Sequence, residues 1–262
     1  MLGLSITQSF LWAATFGVEA ALLVLLILRK QYREFPFFSA YILGVLLQSV
    51  LLFSSYWTWG FNSLISSRIA WISQGIIILL RALVVMELCR RLVGQYRGIW
   101  ALIWRVLLAC SAIVLFFSLL QAKLSVPGVV VDADRGLELT IATVVVVVFL
   151  FASFYGIAPQ ARIHFLAAGL FLYSCFYVVN DSFLERWMEP FSNVWNFMGM
   201  MSFLASMALW FWTFRVPATA EVIGTFLLPK ETYRLLSPQL NRQLRQLNDR
   251  LSLFWQIEEP RP

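Results

Sequence analysis

Apolar residues in this chain run in blocks of about twenty, longer than the alternation of a half-buried strand or the stripe of a surface helix. Seven such blocks occupy roughly 8–28, 37–55, 68–89, 100–120, 137–155, 163–180 and 194–214, each bounded by charges, Pro, Gly or Asn. A helix crossing hydrocarbon needs about 20 mostly apolar residues, so each block predicts a membrane span. The fifth contains Val144–Val148, a β-branched run that would favour a strand in water. In lipid a lone strand leaves its backbone groups unpaired, so a helix is expected there too. A different pattern follows: Leu236, Leu240, Leu244, Leu247, Leu251 and Phe254 recur at steps of three and four. That spacing draws one apolar stripe along a helix. Ser237-Pro238 before it reads as an N-cap followed by Pro at the first helical position. The expected fold is therefore an all-α membrane protein, a seven-transmembrane-helix bundle over 1–215. A tail over 216–262 carries an amphipathic helix at about 238–256.

Composition removes the soluble alternatives. Of the 262 residues, 60% are hydrophobic and 13% charged, against roughly half and a quarter in soluble domains. The net charge of +6 does not point to nucleic acid, because the basic residues cluster beside apolar blocks and set orientation instead. Met1–Phe10 has no basic residue, and Arg29-Lys30-Gln31-Tyr32-Arg33 follows the first block. This reads as a retained span rather than a cleaved leader. Arg29, Lys30, Arg33, Arg90, Arg91, Arg97, Arg162, Lys230 and all the tail arginines from Arg215 to Arg261 fall on one side. Arg68, Lys123, Arg135 and Arg186 fall on the other, diluted by carboxylates. The positive-inside bias then places the N-terminus outside and the C-terminus in the cytoplasm.

Charged groups at bilayer depth are costly and mark candidate sites. Glu19 stands nine residues before Leu28 and Arg81 eight before Cys89. At 1.5 Å per residue their depths agree to within roughly 2 Å, so an ion pair between spans one and three is expected. Gln74, two turns from Arg81 on the same face, and Gln48 in span two extend a polar strip. Nearer the cytoplasm, Glu87 and Arg105 form a second expected pair. The acidic residues Asp132, Asp134 and Glu138, after the turn signal Pro127-Gly128, read as solvated loop charge. Asp181, Glu185 and Glu189 read the same way.

Catalytic constellations are missing from the sequence. The single histidine, His164, stands at an expected helix start and cannot by itself complete a zinc or bis-histidine haem site. Cys89, Cys110 and Cys175 lack CxxC spacing and read as small buried hydrophobes. No nucleophile elbow, zincin motif, phosphate loop or dinucleotide turn occurs. No cofactor, metal or enzymatic activity is therefore expected. Residues 194–214 hold no lysine for a retinal, and Pro159-Gln160 stands once where the sugar-transporter group has a pair.

The segments Tyr32-Arg33-Glu34-Phe35-Pro36-Phe37-Phe38 and Leu235–Leu253 give the chain a resemblance to uncharacterised bacterial multi-span membrane proteins. Its topology is similar to the seven-helix sensor modules of bacterial two-component proteins. The resemblance implies a bacterial cytoplasmic (inner) membrane and transfers no activity. The functional expectation is a non-enzymatic receptor-like sensor or accessory subunit. Leu240, Leu244, Leu247 and Leu251, with Arg242, Arg245 and Arg250 opposite, would dock the terminal helix on the inner leaflet, a partner protein or a second copy. The alternative is a small-solute or proton-linked transporter that uses Glu19, Gln48, Gln74 and Arg81.

Overall fold

A computed structural model describes residues 6–60, 63–121, 126–157, 160–187, 192–216 and 230–255. It is all-helical: α1 Ile6–Leu28, α2 Pro36–Trp59, α3 Leu64–Val93, α4 Arg97–Gln121, α5 Val126–Phe154, α6 Ala161–Trp187, α7 Ser192–Arg215 and α8 Lys230–Phe254. Six of these contain stretches long and apolar enough to cross a bilayer, namely α1 to α5 and α7. This is the composition of an integral, multi-pass membrane protein. The block expected over 163–180 falls in α6, whose described apolar part is Ala161–Phe176.

Local chemistry sets the helix ends. Pro36 opens α2 in its first turn, where a missing N–H costs nothing. Ser63 caps α3 by accepting from the Ser66 N–H at 3.0 Å. At the end of α5, Gly156 takes φ 66°. Ile157 then donates to the Ala152 carbonyl at 2.8 Å and Gly156 to Ser153 at 3.4 Å, the paired bonds of a Schellman stop.

Two boundaries differ from expectation. The segment 126–136, expected as loop, is the start of α5. Pro127 is tolerated in its first turn, and two of the carboxylates beyond it, Asp134 and Glu138, point inward. Asp134, Glu138, Ile141, Val145, Val148 and Ala152 are all buried, a stripe at steps of four and three that continues the apolar face of the span. Helix α8 begins at Lys230 and contains Pro238, so Ser237-Pro238 does not start it. A proline there removes one interior hydrogen bond without ending the helix.

The helices pack as neighbours along the chain, α2 on α3, α4 on α5, α5 on α6 and α6 on α7. Helix α1 closes against α7, and α3 against α5. One half of the bundle, towards the end of α1, is solid. Leu22 and Leu26 of α1, Val84 and Val85 of α3, Leu166 and Leu170 of α6 and Met207 of α7 are buried there. An aromatic cluster completes this half. Phe38 meets Trp210 edge-on at 5.2 Å and Phe214 at 5.5 Å. Trp210 donates its indole N–H to the Leu166 carbonyl at 3.1 Å and lies against Gly169, where a Cβ would collide with the indole.

Helix α8 lies along the first turns of α4. The Gly98 N–H donates to the Asn248 side chain at 2.9 Å. Gly98 has no room for a Cβ beneath the backbone of Asn248 and Ser252.

Candidate functional site

The other half of the bundle is hollow. A cavity of about 350 Å³ is lined by Trp12, Thr15 and Glu19 of α1, and by Tyr41, Val45, Gln48 and Ser49 of α2. Gln74, Ile77 and Arg81 of α3, Tyr173 and Phe176 of α6, and Gly199, Met200, Ser202 and Phe203 of α7 complete it. The lining runs over 12–19 of α1, 41–49 of α2, 74–81 of α3, 173–176 of α6 and 199–203 of α7. The buried Leu22, Leu26, Val84, Val85, Leu166, Leu170 and Met207 lie beyond it towards the end of α1, so the solid half closes the pocket there.

All four residues of the expected polar strip, Glu19, Gln48, Gln74 and Arg81, line this cavity. Their partners differ from expectation. Arg81 does not pair with Glu19; its guanidinium is in direct contact with Glu138 and stands 3.8 Å from Asp134. All three side chains are buried. The α5 carboxylates lie one helical turn apart and reach Arg81 together, whereas Glu19 accepts from the Ser49 hydroxyl at 3.2 Å. Arg81 also lies over the Tyr173 ring, 4.7 Å from its centroid, and 5.9 Å from that of Tyr41.

An amide relay extends from the ion cluster. Gln74 donates to Asp134 Oδ2 at 2.9 Å, and Gln48 donates to Gln74 Oε1 at 3.2 Å and to Ser73 at 3.3 Å. A carboxylate only accepts, so Asp134 fixes which end of Gln74 carries the N–H₂, and Gln74 fixes Gln48 in turn.

The second expected pair, Glu87 with Arg105, is also not formed. Glu87 accepts the Phe38 N–H at 3.0 Å and stands 3.9 Å from Arg91 on the next turn. It thereby ties α3 to the start of α2, where the backbone N–H groups have no helical partner. Arg105 lies 3.8 Å over the Trp255 ring, a cation–π contact that fastens α8 to α4.

Asp134 and Glu138 are the residues that sequence reasoning misplaced, as solvated loop charge. Their spacing of four and its continuity with Ile141 and Val145 is the signal that could have placed them. Asp132 is only half-buried. The side chains of Asp181, Glu185 and Glu189 lie outside the described residues. His164 sits edge-on to Phe149, centroids 5.8 Å apart, in the first turn of α6. Among the described residues no group of His, Cys, Asp and Glu side chains could hold a metal ion.

On the terminal helix, Leu240 and Leu244 are buried and Leu251 half-buried, while Leu247 and the arginines Arg242, Arg245 and Arg250 are exposed. Part of the leucine stripe is thus covered within the chain.

Fold and site together define a multi-pass helical membrane protein with a closed-ended polar cavity inside its bundle. Compared with family models, curated proteins and solved structures, the chain matches none.

Proposed function

We propose that this chain is a receptor-like membrane protein that takes a small solute into its cavity and passes the cavity's occupancy to α8. In this reading seven helices cross a bacterial cytoplasmic membrane, with the N-terminus outside and the C-terminus in the cytoplasm. The distribution of arginines supports that orientation. The observation that carries the reading is a polar-lined cavity inside a bundle of unbroken helices, for α1, α2, α3, α6 and α7 line it and each is continuous. A carrier also opens to one side at a time, but its midplane site is usually formed by broken helices.

A physical route to the output helix exists. Arg81 lines the cavity and grips α5 through Glu138; α5 packs on α4, and α4 carries α8 through Gly98 and Arg105. A solute that shifts Arg81 would be felt at α8, whose exposed leucines and arginines would meet a partner protein, a second copy or anionic lipid.

The test is a thermal-shift screen of small polar solutes on the purified chain, followed by hydrogen exchange on α8. The reading expects a solute that raises Tm, loses its effect in Gln74→Leu, and changes exchange in residues 240–254. If the same solute accumulates in proteoliposomes, the chain is a carrier and the receptor reading is wrong. Binding that leaves α8 exchange unchanged removes the signalling half.

A further inference from the structure

Four charged groups gather around the cavity, and three are acidic: Glu19, Asp134 and Glu138 against Arg81. The positive charge is already spoken for, because Arg81 touches Glu138 and stands 3.8 Å from Asp134. Glu19 is different. It is 1% exposed, accepts one hydrogen bond from the neutral Ser49 hydroxyl, and has no ion pair among the described residues. A carboxylate at bilayer depth is strongly disfavoured without a compensating charge.

Two further features suit the missing charge. The walls carry the aromatic rings of Trp12 and Phe203, and aromatic rings attract cations, most strongly where water is excluded. The amide relay also leaves an acceptor. Both N–H groups of Gln48 are used on Gln74 and Ser73, so its Oε1 is available for a donor. An anion would meet the opposite conditions, an unpaired carboxylate and an arginine held by two others.

From this geometry we infer that the cavity's ligand is a small organic cation, an amine of fragment size, with Glu19 as its counter-ion and Gln48 as an acceptor for its N–H. A volume of about 350 Å³ lies at the small end of ligand pockets. The inference rests on the receptor reading only in requiring that the cavity binds a solute. It does not require that α8 responds.

The experiment uses the full chain in lipid nanodiscs and calorimetric titration with probes that differ in charge. Benzylamine, phenethylamine and butylamine are the cations; benzyl alcohol and benzoate are the neutral and anionic counterparts. At least one amine is expected to bind tenfold or more tighter than benzyl alcohol and benzoate. Glu19→Gln should weaken that amine at least tenfold, and Glu19→Asp should retain part of the affinity. Glu34→Gln should change nothing, since Glu34 stands 3.5 Å from Arg162 and does not line the cavity. If Glu19→Gln does not fold, Gln48→Leu serves, with a several-fold loss expected for the primary amine. Equal binding of benzyl alcohol or benzoate would overturn the cation while leaving a solute-binding cavity. Unchanged amine affinity in Glu19→Gln, or no binding of any amine, would overturn it as well. An α8 that stays still while amines bind through Glu19 would sink the receptor reading alone.

Discussion

Arg81 of α3 and Glu138 of α5 form an ion pair inside the bundle, with both side chains almost fully buried. Helices α3 and α5 are separated in sequence by the whole of α4, so this contact fixes a long-range closure of the bundle. Asp134, one turn earlier on α5, supplies the second carboxylate at 3.8 Å. Removing one member of a buried pair leaves an uncompensated charge, which costs more than the pair contributes over an apolar replacement.

Arg81→Met should therefore be the most damaging single change in the cluster, by about 3–5 kcal/mol, since it strands two carboxylates. Glu138→Gln should cost less, because Asp134 still faces the guanidinium. Denaturation in mixed micelles over a double-mutant cycle is the measurement. A coupling energy of at least about 1 kcal/mol between the two sites is expected for groups in contact. Strict additivity would mean that the two do not interact.

Gln74 links the ion cluster to the cavity wall through its 2.9 Å bond to Asp134. Gln74→Leu keeps most of the side-chain volume and removes both the donor to Asp134 and the acceptor for Gln48. A loss of about 1–2 kcal/mol follows from an interhelical hydrogen bond with a buried acceptor. The same micelle titration checks it. A variant as stable as the parent would show that water or another group takes the place of the amide.

Six of the seven expected spans and the residues of the cavity's polar strip were legible because their signals are local. Blocks of twenty apolar residues predict helices in lipid whatever their neighbours. Depth along a helix follows from counting, which put Glu19 and Arg81 at one level and strung Gln74 and Gln48 from them as a strip; all four line one cavity. Pairing was not legible, since depth says nothing about which helices are neighbours. Depth alone offered Arg81 only Glu19 as a partner, whereas the packing of α5 on α3 brings Glu138 and Asp134 to it. Glu87 and Arg105 were separated for the same reason, with the Phe38 N–H and Trp255 taking their places. The misplacement of Asp134 and Glu138 had another cause. Pro-Gly followed by carboxylates is a loop signature in water, but here the proline sits in a first helical turn and the carboxylates face an arginine.

Gly169 is required by Trp210. A methyl group at position 169 would meet the indole ring closer than side chains tolerate, and that indole is buried and hydrogen-bonded to Leu166. Gly169→Ala should destabilise by about 1–3 kcal/mol, the range for overpacking. The better helix propensity of alanine, worth about 1 kcal/mol, offsets only part of this. Loss of near-ultraviolet circular dichroism should accompany the lower Tm as the aromatic cluster is displaced. An unchanged Tm would mean that the indole moves aside freely and that the closed end of the cavity is soft.

The seat of α8 depends on the bare backbone at Gly98, where the helix comes close enough for the Gly98 N–H to reach the Asn248 side chain. A side chain there has to push α8 away, while the bundle core, which does not involve Gly98, stays in place. Gly98→Leu is therefore expected to raise hydrogen exchange across residues 240–254 at least tenfold with α2 and α3 unchanged. It should also expose Leu244, which is buried in the parent. Trp255→Ala, which removes the ring beneath Arg105, should act in the same direction but more weakly, as a partly exposed cation–π contact contributes about 0.5–1 kcal/mol. If Gly98→Leu leaves α8 as protected as before, the helix is held by something other than its contact with α4, and the route from Arg81 through α5 and α4 does not end there.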